Sequence, residues 1–308
     1  MKLEGIHHVT AITGDAPRNL DFYSRVLGLR LVKKTVNQDD PTVYHLFYAD
    51  EGGSPGADLT FFEYPGAARG RPGAGMVHRV VWRVGSADAL DFWTDRLAGE
   101  GMATERAGGA LRLRDPEGLE HELVVTDRDD APLIADHPEV PAEMALQGFD
   151  AVRAYSADPA ASRRLLEEGL GFTGAGDGAW EARGEQRGGV IAYDEPPADP
   201  GRPGAGTVHH VAWASTMDDH PAWRARARAG GARPTEVIDR FWFRSIYFAE
   251  PSGVLFEIAS MGPGFATDED PEHLGEKLVL PPRYEPMRNR IEATLAPLAD
   301  PRGRAHEG

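Results

Sequence analysis

The chain reads as an α+β protein of four βαβββ units paired into two curved-sheet domains, and three observations carry that reading. GRPGAG occurs twice, at 70–75 and 201–206, continuing as MVHRVVWRV in the first copy and TVHHVAWAS in the second. DPEGLEHELVV at 115–125 lines up with EPSGVLFEIA at 250–259, which sets Glu122 opposite Glu257. Self-similarity of this kind marks repeated structural units. Each half also opens on a strand-like stretch before a helix, GIHHVTAIT at 5–13 and GFDAVRAYS at 148–156, so each half divides again.

In the first unit the strand IHHVTAIT gives way to APRNLDFYSRVLGL. There Leu20, Phe22, Tyr23, Val26 and Leu27 recur at helical spacing and Gly28 supplies a C-terminal stop. VYHLFYAD and DLTFFEY follow with the aromatic and β-branched content of half-buried strands. The four units span about 5–65, 76–126, 147–195 and 207–260. A unit of ~50 residues buries too little surface to stand alone, so units pair and their sheets curve around a shared cavity. Consecutive units are expected to pair, giving an N-terminal domain over 1–130, a C-terminal domain over 145–262 and a tail over 263–308. DRDDAPLIADHPEVPAEM links the halves.

With 308 residues, 41% hydrophobic and 27% charged, the chain can bury a sizeable core. A formal net charge of -16 without a basic stripe speaks against a nucleic-acid partner. No run of eighteen apolar residues occurs and MKLEGIHHVT lacks an apolar signal core, which predicts a cytoplasmic protein without a membrane partner. The absence of cysteine removes thiolate ligands and leaves histidine and carboxylate as donors for a transition metal. A homo-oligomer is left open.

Superposing the units turns the histidines into a test. The first-strand position reads His8, Arg79, Ala151 and His210, while the last strand carries Glu122 in the second unit and Glu257 in the fourth. Ligand types survive together only in units one and four. Two imidazoles and one carboxylate form a facial triad that leaves adjacent positions open on Fe(II). A strand histidine is more often an ordinary core or surface residue, but His8 and His210 are each the second member of a His-His pair in the same frame. Glu257 stands among Val254, Leu255, Phe256 and Ile258, where an unpaired charge is costly and a cation would relieve it. Glu122 has Arg79 in place of a ligand, so an ion pair is expected there. Glu63 remains a candidate fourth ligand that a one-residue frame slip would turn outward, and it is left out of the metal set.

HHVTAIT with FYSRVLGLRLV, then VHHVAW and YFAEPSGVLFEIA, resemble the vicinal oxygen chelate superfamily of glyoxalases, bleomycin-resistance proteins and extradiol dioxygenases. Nearly the whole chain, including the tail GPGFATDEDPEHLGEKLVLPP, is similar to the ring-cleaving dioxygenases that act on hydroquinones. The resemblance implies a glyoxalase-like fold and Fe(II) held by His8, His210 and Glu257, with Mn(II) as the second candidate. It also implies supporting roles for His7, His209, Thr10, Arg240 in IDRFWF and Tyr247 in SIYFAEP. Regular alternation would turn His7 away from His8, leaving it to orient a loop or pack in the core. Arg240 is either a surface turn residue or a support for a phenolate oxygen, and the Tyr247 phenol a donor to bound substrate.

The implied chemistry is ring cleavage of a hydroquinone- or catechol-type aromatic by dioxygen, with His209 or His7 as general acid or base. Trp213, Phe241, Trp242 and Phe243 are candidates for an apolar wall or for plain core packing. Two other functions stay open: a glyoxalase-like isomerase or lyase, for which a fourth ligand would speak, and a metal-free ligand-sequestering protein.

Overall fold

The computed structural model describes residues 1–176 and 178–299. The first unit runs β1 (Ile6–Thr13), α1 (Ala16–Leu20), β2 (Arg30–Val36), β3 (Tyr44–Ala49) and β4 (Asp58–Glu63). The second runs β5 (Val77–Val84), α2 (Ala87–Gly99), β6 (Glu105–Ala107), β7 (Ala110–Arg114) and β8 (Glu120–Val125). The third holds β9 (Phe149–Tyr155), β10 (Thr173–Gly174), β11 (Ala179–Arg183) and β12 (Gly188–Asp194). The fourth holds β13 (Val208–Ser215), α3 (His220–Ala229), β14 (Ile238–Asp239), β15 (Phe243–Ala249) and β16 (Leu255–Pro263), and α4 (Arg288–Glu292) lies in the tail. The helix expected from residue 16 onward is α-helical only to Leu20 and is wound as a π-helix over Asp21–Val26. The third unit replaces its helix by a 3₁₀ turn at Pro159–Ser162 and a π turn at Leu165–Gly169.

Two eight-stranded sheets result, in the orders β14-β15-β16-β13-β1-β4-β3-β2 and β10-β11-β12-β9-β5-β8-β7-β6. Within each unit the first and last strands lie side by side and parallel. Units meet through their first strands, β1 antiparallel to β13 and β5 antiparallel to β9. The first sheet therefore joins units one and four and the second joins units two and three, which corrects the expected consecutive pairing of 1–130 and 145–262.

Two features of the chain make this pairing close. The linker doubles back over the first half, where Glu51 N bonds Ile134 O and Trp93 Nε1 bonds Met144 O, so the third unit arrives beside the second. The two GRPGAG copies then pair with each other, Arg71 N to Arg202 O at 2.8 Å and Arg202 N to Arg71 O at 2.7 Å. Gly73 packs directly on the Gly201 backbone, where any Cβ would collide, which explains the glycines of the repeat.

The tail runs along the outer edge of the first sheet. Val279 N bonds Lys34 O at 2.9 Å, and this cover shields the β2 edge from pairing with another chain. Residues 300–308 of the expected tail lie outside the described residues. Trp213 is fully buried in the main core against Phe172, so it packs the interior and forms no part of an active-site wall. No helix among the described residues is long and apolar enough to cross a membrane.

Candidate active site

Pairing of β1 with β13 sets Thr10 opposite His210 and His8 opposite Ala212, while β16 places Glu257 beside Ala212. Three donor atoms converge as a result. His8 Nε2 is 3.2 Å from His210 Nε2 and 3.1 Å from Glu257 Oε2, and His210 Nε2 is 2.9 Å from the same oxygen. All three side chains are buried. Donors bound at ~2.1 Å and mutually perpendicular stand ~3.0 Å apart, so the triangle matches one face of an octahedron around a divalent ion. Glu257 Oε1 accepts from Ser245 Oγ at 2.5 Å, whereas Oε2 has no hydrogen-bond partner, a buried charged atom suited to a cation.

The hydrogen bonds behind the histidines fix which nitrogen faces the triangle. His7 Nε2 lies 3.1 Å from Ser260 O, and a carbonyl only accepts, so Nε2 carries the proton. Burial, helped by the neighbouring His8, pushes the His7 pKa down to about 3, so the ring is neutral and its Nδ1 is an acceptor. His8 Nδ1–H therefore donates to His7 Nδ1 at 2.9 Å, which leaves His8 Nε2 facing the triangle. His210 Nδ1 lies 2.8 Å from His209 Nδ1, and burial lowers the His210 pKa to about 4.

Strand alternation alone would separate each His-His pair, and two bulges overrule it. Between Ile6 and His8 the partner on β13 moves only from Trp213 to Ala212, and between Thr10 and Ala11 it jumps from His210 to Val208. His7 and His209 are the extra residues, each swung beside its neighbour. The second sheet repeats both irregularities, around His78 and around Asp150. The bulge thus belongs to the unit, and the first sheet has filled it with histidine.

A cavity of about 30 Å³ opens in front of the triangle. Arg240 and Tyr247 line it, as do Trp242 and Phe243, but Phe241 does not. Arg240 Nε reaches Tyr247 Oη at 3.4 Å, and its two Nη atoms hold the Asp39 carboxylate at 3.1 and 3.0 Å. Burial, reinforced by Glu257, pushes the Tyr247 pKa up, so its phenol keeps its proton. Thr10 is fully buried behind the wall, with Oγ1 2.8 Å from Thr60 Oγ1. His7 is held between Ser260 and His8, behind the triangle. His209 stands beyond His210, its ring 5.6 Å from Phe62 of the cavity wall.

Sequence reasoning missed His45, Asn37, Gln38, Asp39, Phe47 and Phe62 on the cavity wall. His45 is packed between Phe47 and Phe62, at ring distances of 4.0 and 4.4 Å, and its Nε2 lies 3.0 Å from Thr60 Oγ1. Burial, with His8 and His210 nearby, lowers its pKa well below the ordinary imidazole value. The signal was a histidine inside the aromatic strand VYHLFYAD, on the same alternate face as Phe47. Asp58 was also missed: it sits opposite His8, fully buried, with neither carboxyl oxygen hydrogen-bonded.

Glu63 is no fourth donor. In unit one Thr60 pairs with Thr10 where Glu257 pairs with Ala212 in unit four, and Glu63 lies three residues on, accepting from Ala16 N at 3.0 Å. In the second sheet Arg79 Nη1 bonds Glu122 at 2.7 Å and its Nε and Nη2 reach Glu120, the ion pair expected at that half-site.

Comparison with known proteins agrees with this architecture. The chain is 42% identical over 304 residues to the "Putative ring-cleaving dioxygenase MhqO" of Bacillus subtilis (strain 168), covering 96% of this chain and 97% of that one. It is 32% identical over 313 residues to the "Chlorohydroquinone/hydroquinone 1,2-dioxygenase" of Sphingobium indicum, covering 96% of each. A crystal structure of a "putative dioxygenase" from Bacillus subtilis subsp. subtilis str. 168 superposes with a TM-score of 0.89 at 40% identity, covering 97% of this chain and 98% of that one. Glyoxalase I from Zea mays shares the fold alone, with a TM-score of 0.57 at 16% identity over 83% of this chain and 92% of that one. The family model for the "Glyoxalase/Bleomycin resistance protein/Dioxygenase superfamily" matches residues 5–123 and 148–258, and the chain belongs to that superfamily.

Proposed function

We propose that the protein is a ring-cleaving dioxygenase for a hydroquinone-type aromatic, with Fe(II) held by His8, His210 and Glu257. The observation that carries this reading is the triangle of donors at 2.9 to 3.2 Å with a buried carboxylate oxygen lacking any hydrogen bond. The relatives named as dioxygenases support it over nearly the full chain. When bound, the iron supplies adjacent open positions and the electron transfer that lets dioxygen attack a phenolic ring.

The remaining work falls to the chain's own side chains. Phe47, Phe62, Trp242 and Phe243 wall the cavity and favour a flat apolar ring. Tyr247 Oη and the Arg240 guanidinium lie together on the wall, so a phenolic oxygen there meets a donor and a positive charge. His45 faces the cavity as a neutral hydrogen-bonding group: its Nε2 is tied to Thr60, and burial disfavours its charged form. Thr10 holds Thr60 and so sets the His45 ring at one remove. His7 and His209 keep the ligand rings in place from behind.

An isomerase or lyase of the glyoxalase kind wants a fourth protein donor, and the register supplies Thr60 in that place. The test is an oxygen electrode with Fe(II)-reconstituted protein and substituted hydroquinones. One dioxygen consumed per ring opened is expected, and the Glu257→Gln variant should show neither uptake nor bound iron. Iron bound at full occupancy with no uptake on any hydroquinone or catechol would overturn the reading.

A further inference from the structure

The pocket in front of the triangle is narrow, about 30 Å³, so the charge at its rim bears directly on any ring that enters.

One ion pair stands at the rim. Asp39, from the loop between β2 and β3 of unit one, grips Arg240, at the tip of the β14–β15 hairpin of unit four, through two hydrogen bonds of 3.1 and 3.0 Å. Gln38 Nε2 adds a bond to Arg240 O at 2.6 Å. The partners are unequal: the Asp39 side chain is 73% exposed and the Arg240 side chain 14%. Arg240 is fixed from behind by Tyr247, and Phe241 beside it takes a positive φ of 73° that suits glycine better than phenylalanine. Asp39 is the member that faces solvent.

Arg240 is also the lone lysine or arginine among the lining residues, and the carboxylates are Asp39 and Glu257. Glu257 belongs to the metal triangle, which leaves Asp39 to neutralise the cation that faces an incoming ring.

We propose that Asp39 determines which aromatic compounds bind: it keeps Arg240 paired and its charge cancelled, so an uncharged dihydroxybenzene is accepted beside the pair and a ring that carries a carboxylate is rejected. A neutral hydroxyl can bond the Tyr247 phenol and the edge of Arg240 without breaking that pair. A ring carboxylate instead competes with Asp39 for one guanidinium and sets two negative charges side by side, the repulsive element that specificity uses. The proposal rests on the ring-cleaving reading and names its substrate class as uncharged hydroquinones.

The test compares hydroquinone with 2,5-dihydroxybenzoate, its ring-carboxylated analogue, on Fe(II)-reconstituted wild type, Asp39→Asn and Asp39→Glu. Wild type and Asp39→Glu should prefer hydroquinone in kcat/KM, and Asp39→Asn should shift that ratio toward the carboxylate by roughly tenfold or more through KM. The shift should shrink at high salt, as a charge effect must and a loss of packing would not. An unchanged ratio in Asp39→Asn, in a wild type that turns over hydroquinone, overturns the charge selection and leaves the ring-cleaving reading standing. No turnover of any hydroquinone by wild type defeats the underlying reading, and anaerobic quenching of tryptophan fluorescence by the two compounds then still scores the charge selection as binding.

Discussion

The Nε2 atoms of His8 and His210 stand 3.2 Å apart although 202 residues separate them in the chain. Two imidazole nitrogens and one carboxylate oxygen this close form a donor set that suits a cation. The bond from Ser245 to Glu257 Oε1 turns the free oxygen toward the two rings. Ser245→Ala removes that brace without touching a donor. Metal affinity, read by chelator competition and elemental analysis, should fall about 10- to 100-fold with the fold intact. Unchanged affinity would mean that Glu257 is held by something other than Ser245.

The second sheet offers the matched control. Arg79 stands where His210 stands in the first sheet, and it spans Glu120 and Glu122 with its side chain 13% exposed. Arg79→Met leaves two largely buried carboxylates with Arg112 on Glu122, and Arg114 and His78 on Glu120. Removing one partner of a buried ion pair is strongly destabilising, and a cost of ~2–4 kcal/mol in urea unfolding is expected for this partly exposed case. Metal content should not change. A loss of metal in this variant would show that the second sheet, and not only the first, takes part in binding.

What could be read in the amino-acid sequence follows from what repeats. The frame shared by IHHVT and VHHVA singled out His8 and His210, and the aligned EPSGVLFEIA singled out Glu257, because equivalent positions in homologous units face the same way. The Arg79–Glu122 pair was legible by the same logic. The partner of each unit was not, since antiparallel pairing of β1 with β13 and of β1 with β5 would bury equally apolar strands. The bulges at His7 and His209 were invisible because an extra residue leaves no mark on hydrophobic alternation. Asp39 was invisible for another reason: its meaning comes from Arg240, a contact made only after distant strands align.

Acid sensitivity should originate in a buried chain that ties unit one to unit two. Trp82 Nε1 donates to His121 Nδ1 at 3.1 Å, His121 Nε2–H to Tyr23 Oη at 3.0 Å, and Tyr23 to Asp115 Oδ2 at 2.9 Å. Burial lowers the His121 pKa from 6.5 to about 3, so the folded state excludes a proton that the unfolded chain binds. That contribution is complete above pH 6.5 and is lost as pH falls toward 3, up to about 5 kcal/mol. Burial raises the Asp115 pKa from 3.8 to about 6, which has the opposite sign. Its stabilisation is complete below 3.8 and disappears as pH rises through 6, about 3 kcal/mol. The two offset each other between pH 6 and 4 in the wild type. In Asp115→Asn only the histidine remains, so urea unfolding at pH 7 and pH 4.5 should show a steeper acid loss in the variant. Parallel profiles would rule out this network as the source.

The tail should fail with Lys33. This lysine is fully buried, with Nζ 2.9 Å from Asp268 and 3.0 Å from Phe265 O, a further bond to Glu269, and aromatic faces of Trp242 and Phe265 at 5.1 and 5.7 Å. It is the bolt that fastens the segment after β16 onto β2. Trp242 Nε1 also bonds Asp268 at 2.9 Å, so the same segment backs the cavity wall. Lys33→Met keeps the stem volume and deletes the charge, leaving Asp268 and Glu269 to repel each other without a cation. Loss of one buried partner costs ~3–5 kcal/mol, and because the strain is confined to the tail it should appear as local opening before global unfolding. Limited proteolysis should cut the variant after β16 at a concentration that spares wild type, while hydrogen exchange in β1 and β13 stays slow. A tail that remains protected in Lys33→Met would mean that the edge bond from Val279 to Lys34 O, and not the buried charge, holds it down.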